Sequence, residues 1–475
     1  MLSFLKVGTI GFGGGAALIP VIEEELVEQK KWMEKRELDV AVAIASISPA
    51  SLPVALCSIW SKRFSLLSAF SYALPGSLIY LILLTGFSYI GEIGTMYLRF
   101  ASVGLIAFVI SLLIRFIKKN YSHGVKAGLK TQHILIMTAS FLLTCGNALG
   151  RLTNMMLELE LPTPLFSIDM LSLILMTLFV VGFAGNSKSK TKWITAFVLA
   201  GLFALANGRM GILRPWLIHL AIILLIAAIA SIVYDTVVMS DKEDRKKIKV
   251  NVGTLRNLLL FIAVSLVFTI AVYIASGDIN VWDFAQRVVT SSLTSFGGGE
   301  VYIGISEAVF VQTGFIPEEI YSTQIIGIAN SMPGPVLVAI VAGVGFTYGN
   351  ALSGIGFGWL FGLLGLSLAV TVTAVAAQAL YISYEYLKES RRMQIILQNF
   401  MPVVCGMLAS TALSLLIQAS SVLLGEGFNE YISVGVVIAI TFLMLLLHYR
   451  FRVNNLILLI CGGLGTLTVL GVFAS

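Results

Sequence analysis

The chain has 475 residues, 57% of them hydrophobic and only 12% charged, with a net charge of +6 and a mean hydropathy of +0.93. Soluble domains carry roughly twice that share of charge, so an ordinary water-soluble fold is excluded and a polytopic all-α membrane protein is expected. The alternating ten-residue segments of a transmembrane β-barrel are absent, and the modest excess of cations sits in short loops, which fits membrane orientation rather than nucleic-acid binding.

The first stretch, residues 4–20, is apolar but broken by Gly8, Gly11 and the triplet Gly13, Gly14 and Gly15. Glycine costs roughly 1 kcal/mol relative to alanine inside a helix, so three in a row point to a need for bare backbone. Residues 21–38 are strongly charged and suit an interfacial segment. Residues 39–60 are apolar around Ser48, Pro49, Ala50, Ser51 and Pro53.

Apolar runs of about 20 residues then recur. Spans are predicted near 65–88, 99–117, 132–150, 167–184, 192–208, 213–236 and 256–276, with loops near 92, 158 and 278 that are acidic or neutral. A second glycine stretch follows (Phe296, Gly297, Gly298, Gly299, Glu300), then an apolar run broken at Met332, Pro333, Gly334 and Pro335. Spans near 355–380, 400–420, 430–448 and 454–474 complete the chain. Basic loops at 62–63, 118–130, 188–192, 242–256, 388–392 and 450–452 belong on the cytoplasmic side.

The two broken stretches are copies. An offset of 284 residues carries Phe12 onto Phe296, Glu23 onto Glu307 and Pro49 onto Pro333, without a gap. This is an internal duplication. It predicts a first transporter repeat with additional spans over 1–240, a basic cytoplasmic linker over 241–255 and a second repeat over 256–475.

The charges give the copies opposite orientations. Lys62 and Arg63 end the first proline segment, whereas no cation ends the second. The expectation is therefore two inverted-topology repeats. Cations at both ends of 39–60, and at neither end of 322–349, predict re-entrant hairpins with Pro49 and Pro333 at their tips; a kinked full span is the alternative.

Broken backbone within a membrane must face protein or a polar cavity, and a half-helix N-terminus favours an oxyanion. The candidate substrate site is thus Phe12, Gly13, Gly14, Gly15, Ser48, Pro49 and Ser51 with Phe296, Gly297, Gly298, Gly299, Asn330, Pro333, Gly334 and Pro335. The bland reading of the glycines is close helix packing. Lys6 and Arg287 precede their glycine stretches and would either attract an anion or snorkel to the interface. Glu300 is a candidate for coupling to a proton or sodium ion, while Glu23 and Glu307 are expected to orient the interfacial segments. No set of nucleophile, base and oxyanion donors suggests an enzyme. The four cysteines stand singly, with no spacing that suggests a metal, and no cofactor is expected.

These residues resemble a known family. Phe12 and the glycine triplet with Ile19, Pro20, Val21 and Ile22, then the glutamate cluster, Val27, Trp32 and Met33, are similar to the N-terminal motif of the chromate ion transporter family. Ser331, Met332, Pro333, Gly334, Pro335 and Val336 resemble its proline-rich motif. The duplicated form with halves of opposite orientation resembles the family's long form. The resemblance implies an inner-membrane carrier of chromate, in many members an efflux system, with sulfate as the isosteric competitor. The chain departs from the pattern in having Pro49, Ala50 and Ser51 for Pro-Gly-Pro, and Ser46 and Asn330 where glutamine is usual. The expected function is a secondary active transporter of a small tetrahedral oxyanion, its partners the anion, a coupling proton or sodium ion, the lipid bilayer and a second copy of the chain. The alternatives are an oxyanion channel and a carrier for a different small anion.

Overall fold

The computed structural model describes residues 2–10, 18–49, 51–60, 65–126, 128–157, 168, 170–184, 189–207, 220, 223–224, 226–227, 230, 252–295, 300–311, 313–329, 332–387, 391–453 and 455–474. The described residues form helices and no strand. In chain order the helices are α1 (Leu2–Ile10), α2 (Ile19–Glu23), α3 (Lys35–Ile47), α4 (Leu52–Trp60), α5 (Ser65–Lys126), α6 (Lys130–Thr144), α7 (Gly146–Leu157), α8 (Met170–Ala184), α9 (Lys190–Asn207), α10 (Val252–Ser276) and α11 (Asn280–Thr294). They continue with α12 (Glu300–Ser306), α13 (Glu318–Ile320), α14 (Gly327–Ala329), α15 (Val336–Ser353), α16 (Ile355–Leu387), α17 (Arg391–Gly425), α18 (Glu430–Phe451) and α19 (Asn455–Ala474). Three stretches widen to π geometry: π1 (Glu24–Gln29) extends α2, π2 (Glu307–Val311) extends α12 and π3 (Tyr321–Ile326) joins α13 to α14.

Among the described residues seven segments are long and apolar enough to cross a membrane, and α6 with α7, bent by 64°, makes an eighth. Two of the seven, Ser65–Gly86 and Arg99–Lys126, belong to α5, whose helix runs on through 87–98 where a loop is expected. No proline interrupts that stretch. Val336–Ser353 is the span the charge pattern does not predict, since it places both ends of 322–349 on one side. The span expected over 213–236 and the basic stretch at 241–249 lie largely outside the described residues. α10 and α18 keep large apolar side chains outward, such as Ile274, Val267 and Phe442, as helices facing lipid do. The chain is a multi-pass membrane protein.

The described chain forms two compact units. One comprises Met1–Leu112, Val250–Tyr381 and Gln418–Ser475; it holds both copies of the duplicated stretch. The other comprises Leu113–Lys249 and Ile382–Ile417. Within it α6 packs on α17, with Gln132 donating to Asn399 Oδ1 at 2.5 Å and Gly406 seated on the Met137 backbone.

The duplication is visible element by element in the first unit. α4 starts at Leu52 and α15 at Val336, 284 residues apart. π1 and π2 fall at matching places, after Glu23 and from Glu307. The helical run 318–329 answers α3, and the break at 332–335 answers the break at 48–51. The offset then fails, because α15 runs to Ser353 while its counterpart α4 stops at Trp60.

Each broken segment is braced by the long helix of the other copy. α16 from the second copy holds α4: Gln378 Nε2 donates to the Ser58 carbonyl at 2.5 Å and to Ser65 Oγ at 2.9 Å. α5 from the first copy holds the second segment: Tyr80 OH donates to the Ile325 carbonyl at 3.0 Å, within π3. A π turn frees backbone carbonyls from their usual partners, and here a fully buried tyrosine takes one. Gln378 is buried at 3% exposure, and Gln378→Leu removes one of the two donors to the Ser58 carbonyl, leaving only Ser65 Oγ at 2.8 Å. A loss of about 0.5–1.5 kcal/mol is expected, read as a lower thermal unfolding midpoint in detergent; an unchanged midpoint would show that the brace carries no stability.

Candidate functional site

The second break sits against α5. Pro333, Gly334 and Pro335 are buried, and Gly334 has φ +98, which a side chain would strain. A Cβ added to Gly76 would lie 2.0 Å from the Pro333 carbonyl oxygen and 3.1 Å from Gly334 Cα. Gly8 from the first glycine stretch reaches the same place. A Cβ on Gly8 would lie 2.1 Å from the Tyr72 carbonyl oxygen, and the Gly8 oxygen is 3.9 Å from where a Gly334 Cβ would be. Tyr72, Gly76 and Tyr80 recur every four residues, so one stripe of α5 touches α1, the second break and π3 in turn. Pro75 inside α5 also removes an N–H that would otherwise bond to the Ser71 carbonyl.

The first break sits against α16. Ser48 has extended backbone and its Oγ reaches only the Pro49 carbonyl, at 3.4 Å. Ser51 N–H reaches Thr373 Oγ1 at 3.5 Å, and that hydroxyl donates to the Ala369 carbonyl at 2.8 Å. Ser48, Pro49 and Ser51 are all buried. Five buried hydroxyls in this unit, Ser51 Oγ, Tyr72 OH, Ser77 Oγ, Ser292 Oγ and Ser433 Oγ, find no hydrogen-bond partner among the described residues.

Of the other candidates, Phe12, Gly13, Gly14, Gly15, Phe296, Gly297, Gly298, Gly299 and Asn330 lie outside the described residues, as does the side chain of Glu300, the first residue of α12. The charged candidates are placed. Lys6 pairs with the buried Glu25 at 2.5 Å and donates to Gln29 Oε1 at 3.1 Å. Arg287 pairs with Asp283 at 2.8 Å, donates to the Val309 carbonyl at 2.9 Å and to Thr313 Oγ1 at 2.6 Å, and lies over the Phe315 ring. Val309 and Thr313 are the 284-residue counterparts of Glu25 and Gln29. Each cation therefore ties the helix before a glycine stretch to the same two positions after it. That is a staple from one side of each glycine stretch to the other.

Glu23 is buried at 2% exposure and pairs with Lys35 at 2.5 Å. Glu307 is half-buried at the head of π2, and the counterpart of Lys35 is Glu319. The carboxylate is repeated but its cation is not. Beside the first staple, Glu24 accepts from Gln29 and Asn455, adding to a charged cluster. The second staple is set in rings, with Phe284, Phe310, Phe315, Tyr348 and Phe361 in mutual contact.

Sequence motifs do not point to Tyr72, Gly76, Tyr80, Thr373 or Gln378, which sit singly in apolar spans. The only local signal is the Pro75-Gly76 pair inside a predicted span. Among the described residues no group of three or more His, Cys, Asp or Glu side chains gathers as a metal site.

Two broken, duplicated helical segments crossed by buried spans are an arrangement for passing a small solute. The family model described as chromate transporter matches residues 1–202 and 282–467, both copies and most of the chain. The chain belongs to the chromate transporter family. It is similar to an uncharacterized transporter of Methanocaldococcus jannaschii, 33% identical over 128 residues, covering 25% of this chain and 31% of that one. A probable chromate transport protein of Synechococcus elongatus is 30% identical over 106 residues, covering 21% and 27%. A chromate transport protein of Pseudomonas aeruginosa is 27% identical over 125 residues, covering 25% and 30%. The chain thus aligns with less than a third of the length of each of these relatives. No solved structure matches. Membership places the chain in a transport family.

Two outcomes check the geometry. Gly76→Ala drives a methyl into the Pro333 backbone, so tracer flux in membrane vesicles should fall at least about tenfold, a barrier rise near 1.4 kcal/mol. Gly425→Ala, with nothing within 4 Å, should leave it unchanged. Equal flux in both would separate the contact from transport. Lys6→Met strands the buried Glu25 and should cost roughly 3 kcal/mol, with much of the loss recovered in K6M/E25L; a double variant as unstable as the single would refute the staple.

Proposed function

We propose that the chain is a secondary active transporter of a small tetrahedral oxyanion in the inner membrane, with chromate as the leading substrate and sulfate as its competitor. The observation that carries this reading is the crosswise bracing of two broken segments, α3 and α4 held by α16, and 318–353 held by α5. Backbone freed at the two breaks is buried in one unit, where its dipoles suit an anion. The proline segments enter from opposite faces, and one repeat rocks against the other to expose the anion alternately. Gly13, Gly14, Gly15, Gly297, Gly298 and Gly299 supply further bare backbone to the same site. Glu300 couples the cycle to a proton or sodium ion, and the chain works as a homodimer. The names of the Synechococcus and Pseudomonas relatives favour chromate over other oxyanions.

The test is a radiotracer panel of chromate, sulfate, molybdate and phosphate in proteoliposomes under imposed proton or sodium gradients. Saturable flux, faster with counter-substrate and driven by one gradient, is expected; conductance in planar bilayers would replace the carrier by a channel. Pro333→Leu and Gly298→Leu should abolish flux while the protein still inserts. Glu300→Gln should change the pH or sodium dependence of flux, and an unaltered dependence would remove Glu300 from coupling.

A further inference from the structure

One cleft brings three elements and both signs of charge together. It is lined by Lys6 from α1, by Glu24, Glu25 and Gln29 from π1, and by Asn455, the first residue of α19. Val7 and Val21 form its apolar wall. Lys6 keeps 39% of its side chain exposed there, whereas Glu25 keeps only 5%. The donors in the cleft are all committed to carboxylates. Lys6 Nζ meets Glu25 at 2.5 Å, Gln29 Nε2 donates to Glu24 at 3.2 Å, and Asn455 Nδ2 donates to Glu24 as well.

This cluster belongs to the first copy alone. The 284-residue counterparts of Lys6, Glu24 and Glu25 are Thr290, Ala308 and Val309. In the second copy Arg287 pairs with Asp283, whose side chain is 46% exposed and is solvated with or without the arginine. Glu25 is different, because it is buried and its charge is balanced from across a glycine stretch. The charged and polar groups that face it are Lys6 from α1, Glu24 and Gln29 on π1, and Asn455 from α19. Glu28 and Lys30, further along the same turn, are exposed. Glu23 is two residues back and so on the other side of the helix, where it closes on Lys35, which also meets Asp39.

These charges set a condition on any anion that enters. With Glu24 and Glu25 ionised, Lys6 leaves the cleft net negative, and an oxyanion is repelled. An anion that takes Lys6 also strands Glu25, and a buried charge robbed of its partner is strongly disfavoured. A proton on Glu25 removes both obstacles, since the cleft becomes neutral and the Lys6 ammonium is released.

We infer that Lys6 and Glu25 form a proton-linked anion site: the oxyanion takes the Lys6 ammonium and the amides of Gln29 and Asn455 while Glu25 takes a proton. The proton comes from water at the cleft and ends on a Glu25 carboxylate oxygen; no other covalent bond forms or breaks. The inference rests on the oxyanion-carrier reading and adds to it a proton site in the first copy, separate from Glu300 in the second. Linkage is reciprocal, so a proton that follows the anion in also tightens the anion's binding.

The experiment is titration calorimetry of the purified full-length protein in detergent, with sulfate and with chromate, in buffers that differ in heat of ionisation. The parent should take up about one proton per anion, and its affinity should weaken about tenfold for each unit of rising pH. Glu25→Gln should bind with no proton uptake and no pH dependence, and at alkaline pH at least about tenfold more tightly than the parent. K6M/E25L, which removes both charges and leaves none stranded, should bind at least about tenfold more weakly, again without proton uptake. Glu426→Gln, which neutralises a carboxylate held by Arg99, should keep the parent's proton uptake. A parent that binds without taking up a proton, or a Glu25→Gln variant that still takes one up, would overturn the site and leave the carrier reading intact. So would K6M/E25L binding as tightly as the parent, which decides the matter alone if Glu25→Gln does not fold. A parent that binds neither anion would overturn the carrier reading and the site with it.

Discussion

The fold turns on one constraint: backbone that leaves a helix inside a membrane has no water to bond to. Each stranded N–H or carbonyl costs several kcal/mol if lipid covers it. The chain breaks its helices twice in matching places, at 48–51 and 332–335, and must therefore cover both breaks with protein. It does so by exchange. α16 supplies Thr373 and Gln378 to the first broken segment, and α5 supplies Gly76 and Tyr80 to the second. Neither copy can satisfy its own break with the contacts seen, so both must fold as one unit. A duplicated gene product with crossed braces of this kind cannot be split into two independent halves without exposing both breaks.

The braces also explain why glycines stand at the points where these helices cross. Association within a lipid bilayer gains little from hydrophobic burial, because tails are as apolar as leucine. Close approach and hydrogen bonds must hold the segments instead. Gly76 lets the α5 backbone meet the Pro333 backbone directly, and the cost of glycine within a helix is offset by that contact. The staples act differently. Lys6 and Arg287 each tie the helix before a glycine stretch to residues after it.

Much of this was legible before the structure. The 284-residue offset carries not only matching letters but matching helix starts, at Leu52 and Val336. Glycine and proline act on the backbone locally, so their positions can be read from the chain. The bracing residues could not be read. Tyr80, Thr373 and Gln378 are single polar side chains in apolar spans, and only the fold gives them a partner 245, 322 and 320 residues away. The cations were open to two readings, attraction of an anion or snorkelling. The structure puts them in a third place, because charge alone does not say that Lys6 meets Glu25 beyond the glycines and Arg287 meets Asp283 on its own helix. Nor does charge patterning foresee that α15 is long and apolar enough to cross a membrane. It counts cations at loop ends, and that segment has none at either end.

The inequality of the copies follows the same logic one step further. Exact symmetry would give two equivalent anion sites, whereas alternating access to a single bound ion needs only one. The copies have diverged at three matched pairs: Gly8 with Ser292, Pro335 with Ser51, and Lys35 with Glu319. The first two pairs seat Gly8 on the Tyr72 backbone and leave Ser292 and Ser51 as buried hydroxyls. The third leaves Glu23 paired and buried, and Glu307 without that lysine. Lys6 and Arg287 are each held by a carboxylate, so the two copies have kept their charge neutralised locally while their buried polar groups diverged.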